Sequence, residues 1–297
     1  MKILLATDGS EYSEGATKFL TNLNFSSDGE ITILHVISDV PFKDDMESYY
    51  FSLKQIKQEI APKIIESTLN ILKPVNVRIN TMVIDGYPDR RIIYAAEDLN
   101  VDMIVMGAKG LKGIKAFLIG SVTRSVAINS SRPVLIIKPP QWEISGNLKI
   151  LFATDGSDYA REIGRFLTSI PFHDDTEITV LHVIQSGLDI PDRFHIEIDE
   201  MIKKVAAEIR SIAIKESGKI IESSRKLLGD RFTKINGLTK DGDPSLEILN
   251  TAKMLQADII AVGSKGMRGI KGMLGSVSRH ILGHSECSVL IGKTSKK

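Results

Sequence analysis

Short, almost uninterrupted apolar runs recur along this chain, separated by longer stretches with apolar residues at helical spacing. The runs at 2–6, 30–36, 76–84, 102–106 and 133–138 read as strands, as do those at 149–153, 177–184, 232–239, 258–262 and 288–291. Between them, helices are expected at about 13–23, 45–72, 88–99 and 121–130, then at 158–168, 194–228, 244–255 and 276–283. Pro88 and Pro244 sit where a first helical turn tolerates a missing N–H, and Ser10 and Ser157 are placed to cap the helices that follow. Runs apolar on both faces belong to strands covered on both sides, and strand–helix–strand alternation implies right-handed crossovers in a parallel sheet. The fold class is therefore α/β and doubly wound.

The pattern occurs twice. Ile3-Leu-Leu-Ala-Thr-Asp-Gly-Ser10 returns as Ile150-Leu-Phe-Ala-Thr-Asp-Gly-Ser157, an offset of 147, and Ile31-Thr-Ile-Leu-His-Val-Ile37 returns as Ile178-Thr-Val-Leu-His-Val-Ile184 at the same offset. Asp85-Gly-Tyr-Pro88 matches Asp241-Gly-Asp-Pro244 at 156, which places an insertion of nine residues in the long helical region between these matches. Val134-Leu-Ile136 matches Val289-Leu-Ile291 at 155, so one residue has been lost in between. A period near 150 residues is a whole domain and not a solenoid unit. Two homologous domains are expected, 1–140 and 146–297, each with a five-stranded parallel sheet. The connection Pro139-Pro-Gln-Trp-Glu-Ile-Ser-Gly-Asn147 is short and stiffened by its proline pair, so the domains should dock, with Trp142 a candidate contact.

Composition narrows the classes of function. With 42% hydrophobic and 25% charged residues in 297, the chain has material for two ordinary cores and no disordered bias. Thirty-eight basic against thirty-seven acidic residues give a net charge of +1, which offers no long-range attraction for nucleic acid or an anionic membrane. No apolar run approaches the roughly 20 residues of a membrane helix. The opening residues lack the regions of a signal peptide, and a cytoplasmic location is expected. The single cysteine, Cys287, starts an apolar run and is expected to be a buried core thiol.

The candidate chemistry lies in Gly107-x-x-Gly110, nine residues, then Gly120-Ser121, and in its counterpart Gly263-x-x-Gly266, eight residues, then Gly275-Ser276. Each follows a strand and opens a helix, so backbone N–H groups and the helix N-terminus converge on a ready-made anion site. Glycine leaves room for phosphate oxygens to approach the backbone. In open α/β sheets, ligands bind beyond the carboxyl ends of the strands, an edge that also holds Thr7-Asp8-Gly9 and His35-Val36. A carboxylate such as Asp8 suits a ribose or base contact, or a magnesium ion beside phosphates. Simple capping of the Asp-Gly-Ser turn is the structural alternative for Asp8 and Asp155. His35 and His182 sit inside apolar strands and read as hydrogen-bonded structural groups. Lys109 and Lys265 stand within the loops, as phosphate contacts or solvated side chains, and Arg124 and Arg279 stand one turn into the helices. Neither G-x-x-x-x-G-K-[ST] nor a G-x-G-x-x-G after the first strand is present, which disfavours P-loop and dinucleotide proteins.

The glycine motif, the Thr-Asp ending of the first strand and Leu-His-Val in the second together resemble the universal stress protein family, over both halves. The resemblance implies two domains of the adenine nucleotide alpha hydrolase-like kind, binding ATP, ADP or AMP, with any magnesium arriving with the nucleotide. It implies that Asp8 and Val36 meet the adenosine end and that Met106, Gly107, Gly110, Gly120, Ser121, Val122 and Thr123 form the phosphate loop. In the second half the corresponding residues are Asp155 and Val183, then Val262, Gly263, Gly266, Gly275, Ser276, Val277 and Ser278. It further implies pairing of domains through their last strands, here within one chain, and homo-oligomers between chains. The second loop is one residue shorter than the family spacing, enough to move its amides by an ångström or more. A regulatory nucleotide-binding protein is the expectation, against the alternatives of a slow magnesium-dependent ATPase and a nucleotide-free scaffold. No residue stands out as a catalytic base.

Overall fold

The computed structural model describes residues 1–38, 47–109, 119–139, 147–185, 200–264, 266 and 274–293. The first half runs β1 (Lys2–Thr7), α1 (Glu11–Thr21), β2 (Glu30–Ser38), α2 (Glu47–Leu72), β3 (Arg78–Gly86), α3 (Pro88–Asp98), β4 (Met103–Gly107), α4 (Ser121–Asn129) and β5 (Val134–Ile137). The second repeats it as β6 (Lys149–Ala153), α5 (Asp158–Ser169), β7 (Glu177–Ile184), α6 (Glu200–Gly229), β8 (Lys234–Asp241), α7 (Pro244–Leu255), β9 (Ile259–Gly263), α8 (Ser276–His284) and β10 (Ser288–Gly292). The expected start of the sixth helix at 194 and the docking of Trp142 fall outside the described residues.

Each half is a parallel five-stranded sheet, in the orders β3-β2-β1-β4-β5 and β8-β7-β6-β9-β10. The central strands are buried on both faces, as their apolar runs require: β4 and β5 have no exposed residue, and β1 exposes only Lys2. Edge strands β3 and β8 consist of exposed and half-buried residues, apart from the buried Gly86. Successive side chains of each strand feed opposite layers. In β1, Leu4 and Ala6 join Ile92, Ala96 and Val126, while Ile3 and Leu5 join Phe19, Leu20 and Leu72.

The two sheets are one. β5 pairs antiparallel with β10, with Leu135 opposite Leu290, Ile136 opposite Val289 and Val134 opposite Ile291, giving ten strands in a continuous sheet. Leu135 and Leu290 are the same position of the repeat, so a pseudo-two-fold axis passes between them and the contact is self-complementary in the manner of a symmetric dimer. Both core layers cross this seam, one with Ile136 and Val289, the other with Leu135 and Leu290. The pairing of last strands thus occurs inside the chain.

Next to the seam, Lys138 and Cys287 are both buried, the thiol as expected for a core cysteine. Burial pushes the Cys287 thiol above the usual cysteine range and pulls the Lys138 ammonium down to about 8. Below that pH both folded and unfolded chains carry the lysine proton, and the fold bears the whole cost of the buried charge. Between about 8 and the unfolded value near 10.4 the unfolded chain binds more protons, so this group's contribution to stability rises with pH. Chemical denaturation of wild type and Lys138→Met at pH 7 and pH 10 is expected to show the difference moving toward wild type by about 2 kcal/mol. An equal difference at both pH values would contradict the assignment.

Candidate functional site

In the first half, β2 leaves β1 toward one edge and β4 lies on its other side, so the chain order switches direction between β1 and β4. The crevice above such a switch is where open α/β sheets bind ligands. Asp8 follows β1 and Gly107 ends β4, which brings the carboxylate and the glycine loop to one place from opposite sides of the switch.

The end of β1 is tightly tied. Thr7 is opposite His35 in register, and His35 Nδ1 lies 2.9 Å from the Thr7 carbonyl oxygen; His182 and Thr154 repeat this at 2.8 Å. Both histidines are structural. Gly9 and Gly156 then take φ of +75° and +76°, in the left-handed region that glycine enters without a steric cost. Asp8 Oδ1 accepts from the Ser10 amide at 3.1 Å and from Ser10 Oγ at 2.5 Å, and Asp155 Oδ1 accepts from the Ser157 amide at 3.0 Å. The turn-forming role of these two carboxylates is therefore present. Both remain half-exposed at the crevice.

Met106 and Gly107 are buried at the end of β4, and Val262 is buried and Gly263 half-buried at the end of β9. Val36 and Val183 lie half-buried on β2 and β7, packed at the margin of one core layer. Gly107 has a reason to be glycine that the motif does not reveal. A Cβ there would lie 2.5 Å from the Tyr12 carbonyl carbon and oxygen and 2.9 Å from the Ser13 amide nitrogen, so the backbone of α1 occupies that space.

The loop bodies at 110–118, 265 and 267–273 lie outside the described residues, Gly110 and Lys265 among them. Their exits are described and match. The Gly120 amide donates to the Ala108 carbonyl at 2.8 Å, and the Gly275 amide to the Ser264 carbonyl at 2.7 Å. Thr123 Oγ1 donates to the Gly107 carbonyl at 3.0 Å and Ser278 Oγ to the Gly263 carbonyl at 2.5 Å, so these two buried hydroxyls close each loop on its strand. Ser121 and Ser276 are exposed at the helix starts, followed by half-buried Val122 and Val277.

The two loop helices differ from three others in one respect. α1, α5 and α7 are capped by the side chains of Ser10, Ser157 and Asp243, whereas among the described residues α4 and α8, like α3 after Tyr87, have no side-chain cap; α4 and α8 begin at Gly120 and Gly275. α4 and α8 start beside the ends of β4 and β9, so the positive end of each helix dipole lies at the carboxyl edge of the sheet.

In the second half the loop also meets the carboxylate. A Cβ on Gly266 would stand 2.7 Å from Asp155 Oδ2, so the second glycine of the motif lets the loop close on the aspartate. Gly266→Val is expected to displace the loop and weaken anion binding at this half by tenfold or more, while shifting the melting temperature by under 2 °C. Ligand titration and thermal unfolding check it, and undiminished binding would contradict the close approach. Lys109 is buried with its ammonium 5.6 Å from the Tyr12 ring centroid, and Arg279 Nη2 donates to the Leu274 carbonyl at 3.2 Å. Sequence reasoning missed Tyr12, whose backbone dictates Gly107 and whose ring receives Lys109.

A cavity of about 590 Å³ lies where the two halves meet, between Asp102 and Arg132 ahead of β4 and β5 and Arg165 of α5 and Lys293 after β10. There Glu97 accepts from Ser131 Oγ, Asp102 from the Lys2 amide, and Arg132 donates to Asn100, so these groups are already engaged. It is not the crevice above the switch point. No described helix is long and apolar enough to cross a membrane, and the described residues hold no cluster of three or more metal-binding side chains.

The model of the universal stress protein family matches residues 1–138 and again 146–293. The chain belongs to the universal stress protein family. A universal stress protein of Mycolicibacterium smegmatis is similar over both halves, 25% identical across 97% of this chain and 96% of its own length. Universal stress protein MJ0531 of Methanocaldococcus jannaschii is 31% identical over 48% of this chain and 84% of its own length, a single-domain match. Among solved structures, a universal stress protein from Archaeoglobus fulgidus matches the fold along 98% of both chains, with 23% identity and a TM-score of 0.64. This chain is accordingly a tandem universal stress protein, and its two halves repeat the family unit.

Proposed function

We propose that this tandem universal stress protein binds adenine nucleotide at both glycine loops, with ATP and its magnesium ion as the leading ligand, and that nucleotide occupancy regulates the surfaces it offers to partners or to further copies of itself. The carrying observation is that, among the described residues, the two helices behind the glycine motifs start at a glycine without a side-chain cap, at the switch point, in both halves. A phosphate group would satisfy amides of the kind that in α1, α5 and α7 receive a serine or aspartate oxygen. Asp8 and Asp155 stand beside these seats with one oxygen held by the turn, a position suited to ribose hydroxyls or to a magnesium-bound water. Val36 and Val183 supply an apolar margin fit for a base. When bound, magnesium would neutralise part of the phosphate charge. The chain's own residues would bind and orient the nucleotide.

The test is to denature purified protein and chromatograph the released nucleotides, then to melt the protein with added ATP and magnesium. At a hundredfold excess over the dissociation constant, binding stabilises by about 2.7 kcal/mol. Adenine nucleotide in the supernatant, or a clear rise in melting temperature, supports the reading; absence of both would overturn it.

A further inference from the structure

Each loop helix begins at its own half's glycine loop and ends under a lysine of the other half. Lys293 Nζ donates to the Ile128 carbonyl in the last turn of α4 at 3.0 Å. Lys138 Nζ donates to the Ser285 and Leu282 carbonyls at the end of α8, at 2.6 and 3.4 Å. Lys138 and Lys293 occupy the same repeat position, each the residue that directly follows a last strand. A cation there sits on the negative end of the helix dipole and on carbonyls that the helix leaves unpaired.

The strand ends that carry these lysines are tied to the glycine loops. The Ile137 carbonyl accepts from the Ala108 amide at 2.9 Å, and the Gly292 carbonyl from the Ser264 amide at 2.8 Å. Ala108 and Ser264 in turn accept the Gly120 and Gly275 amides that close the loops. These contacts form a ring: first loop, Lys138, α8, second loop, Lys293, α4, and back to the first loop. A helix of nine residues is a rod about 13 Å long, so a shift at its phosphate end is felt at its capped end.

We propose that Lys138 and Lys293 are positioning residues that couple the two glycine loops, so that filling one changes the affinity of the other. The proposal rests on the nucleotide reading for its ligand, and the linkage between the loops can be read without any ligand. Coupling between sites is reciprocal, and several-fold effects are usual.

Amide hydrogen exchange on the ligand-free full chain comes first, comparing wild type, Lys293→Met and Lys293→Arg. In Lys293→Met, exchange should quicken at least fivefold in the last turn of α4 and also at the Gly120 and Ser264 amides, and arginine should restore most of the protection. Acceleration confined to the last turn of α4 would overturn the coupling. ATP with magnesium is then titrated into chains with and without Gly266→Val. First-loop affinity should differ about fivefold or more between them, and the difference should fall within twofold once Lys138→Met and Lys293→Met are added. An unchanged difference overturns the coupling. Absence of ATP binding in every chain overturns the nucleotide reading instead, and the exchange result then decides the linkage alone.

Discussion

Gly107→Ala is expected to destabilise the first half by about 2–4 kcal/mol, at the upper end of what an inserted methyl group costs in a packed region. The methyl would meet main-chain atoms of Tyr12 at 2.5 Å, and a backbone cannot swing aside as a side-chain end does. Either β4 or the first turn of α1 has to move, and both border the crevice. Thr123 is anchored to the Gly107 carbonyl, so the loop exit moves with them. Nucleotide binding at the first loop should fall more than tenfold while the second loop keeps its own affinity to within the coupling described above. Denaturant unfolding and ligand titration read the two effects. A variant within 0.5 kcal/mol of wild type would show that α1 yields easily, contrary to the packing seen.

Leu290→Ala carries the second large effect, a loss of about 3 kcal/mol, within the usual range for a buried leucine truncated to alanine. Leu290 is fully buried, lies opposite Leu135 at the seam, and packs in the layer that crosses from one half to the other. The pseudo-two-fold predicts a similar loss for Leu135→Ala. Because both positions serve one interface, the double variant should cost less than the sum of the two single ones. Denaturant midpoints of the three variants test this. A loss below 1 kcal/mol in either single variant would mean that the halves hold together by other contacts.

Much of the architecture was legible because parallel strands buried on both faces leave continuous apolar runs. The structure puts β1 at Lys2–Thr7, β4 at Met103–Gly107 and β9 at Ile259–Gly263, within a residue of the expected bounds. The repeat made the two halves visible, and the family resemblance implied that their last strands would pair. Periodicity had no means of giving the antiparallel register that sets Leu135 against Leu290. It gave no hint of Lys138 and Lys293 either, since a lysine after a strand looks the same whether it faces solvent or caps a helix of the other half. The Gly107 motif pointed to phosphate, yet the atoms nearest that α-carbon belong to α1. A glycine required by packing and one required by a ligand look alike in a sequence. The Asp-Gly-Ser turns were the reverse case. Their local hydrogen bonding was anticipated from residue type, and it leaves each aspartate at the crevice.

The most direct test of the account is equilibrium titration of the full chain with ATP and magnesium, with stoichiometry as the readout. Two saturable sites per chain are predicted for wild type, one for Gly107→Ala, one for Gly266→Val and none for the double variant. No saturable binding up to millimolar ATP, or an unchanged stoichiometry in a folded double variant, would contradict the claim that the paired glycine loops are the nucleotide sites.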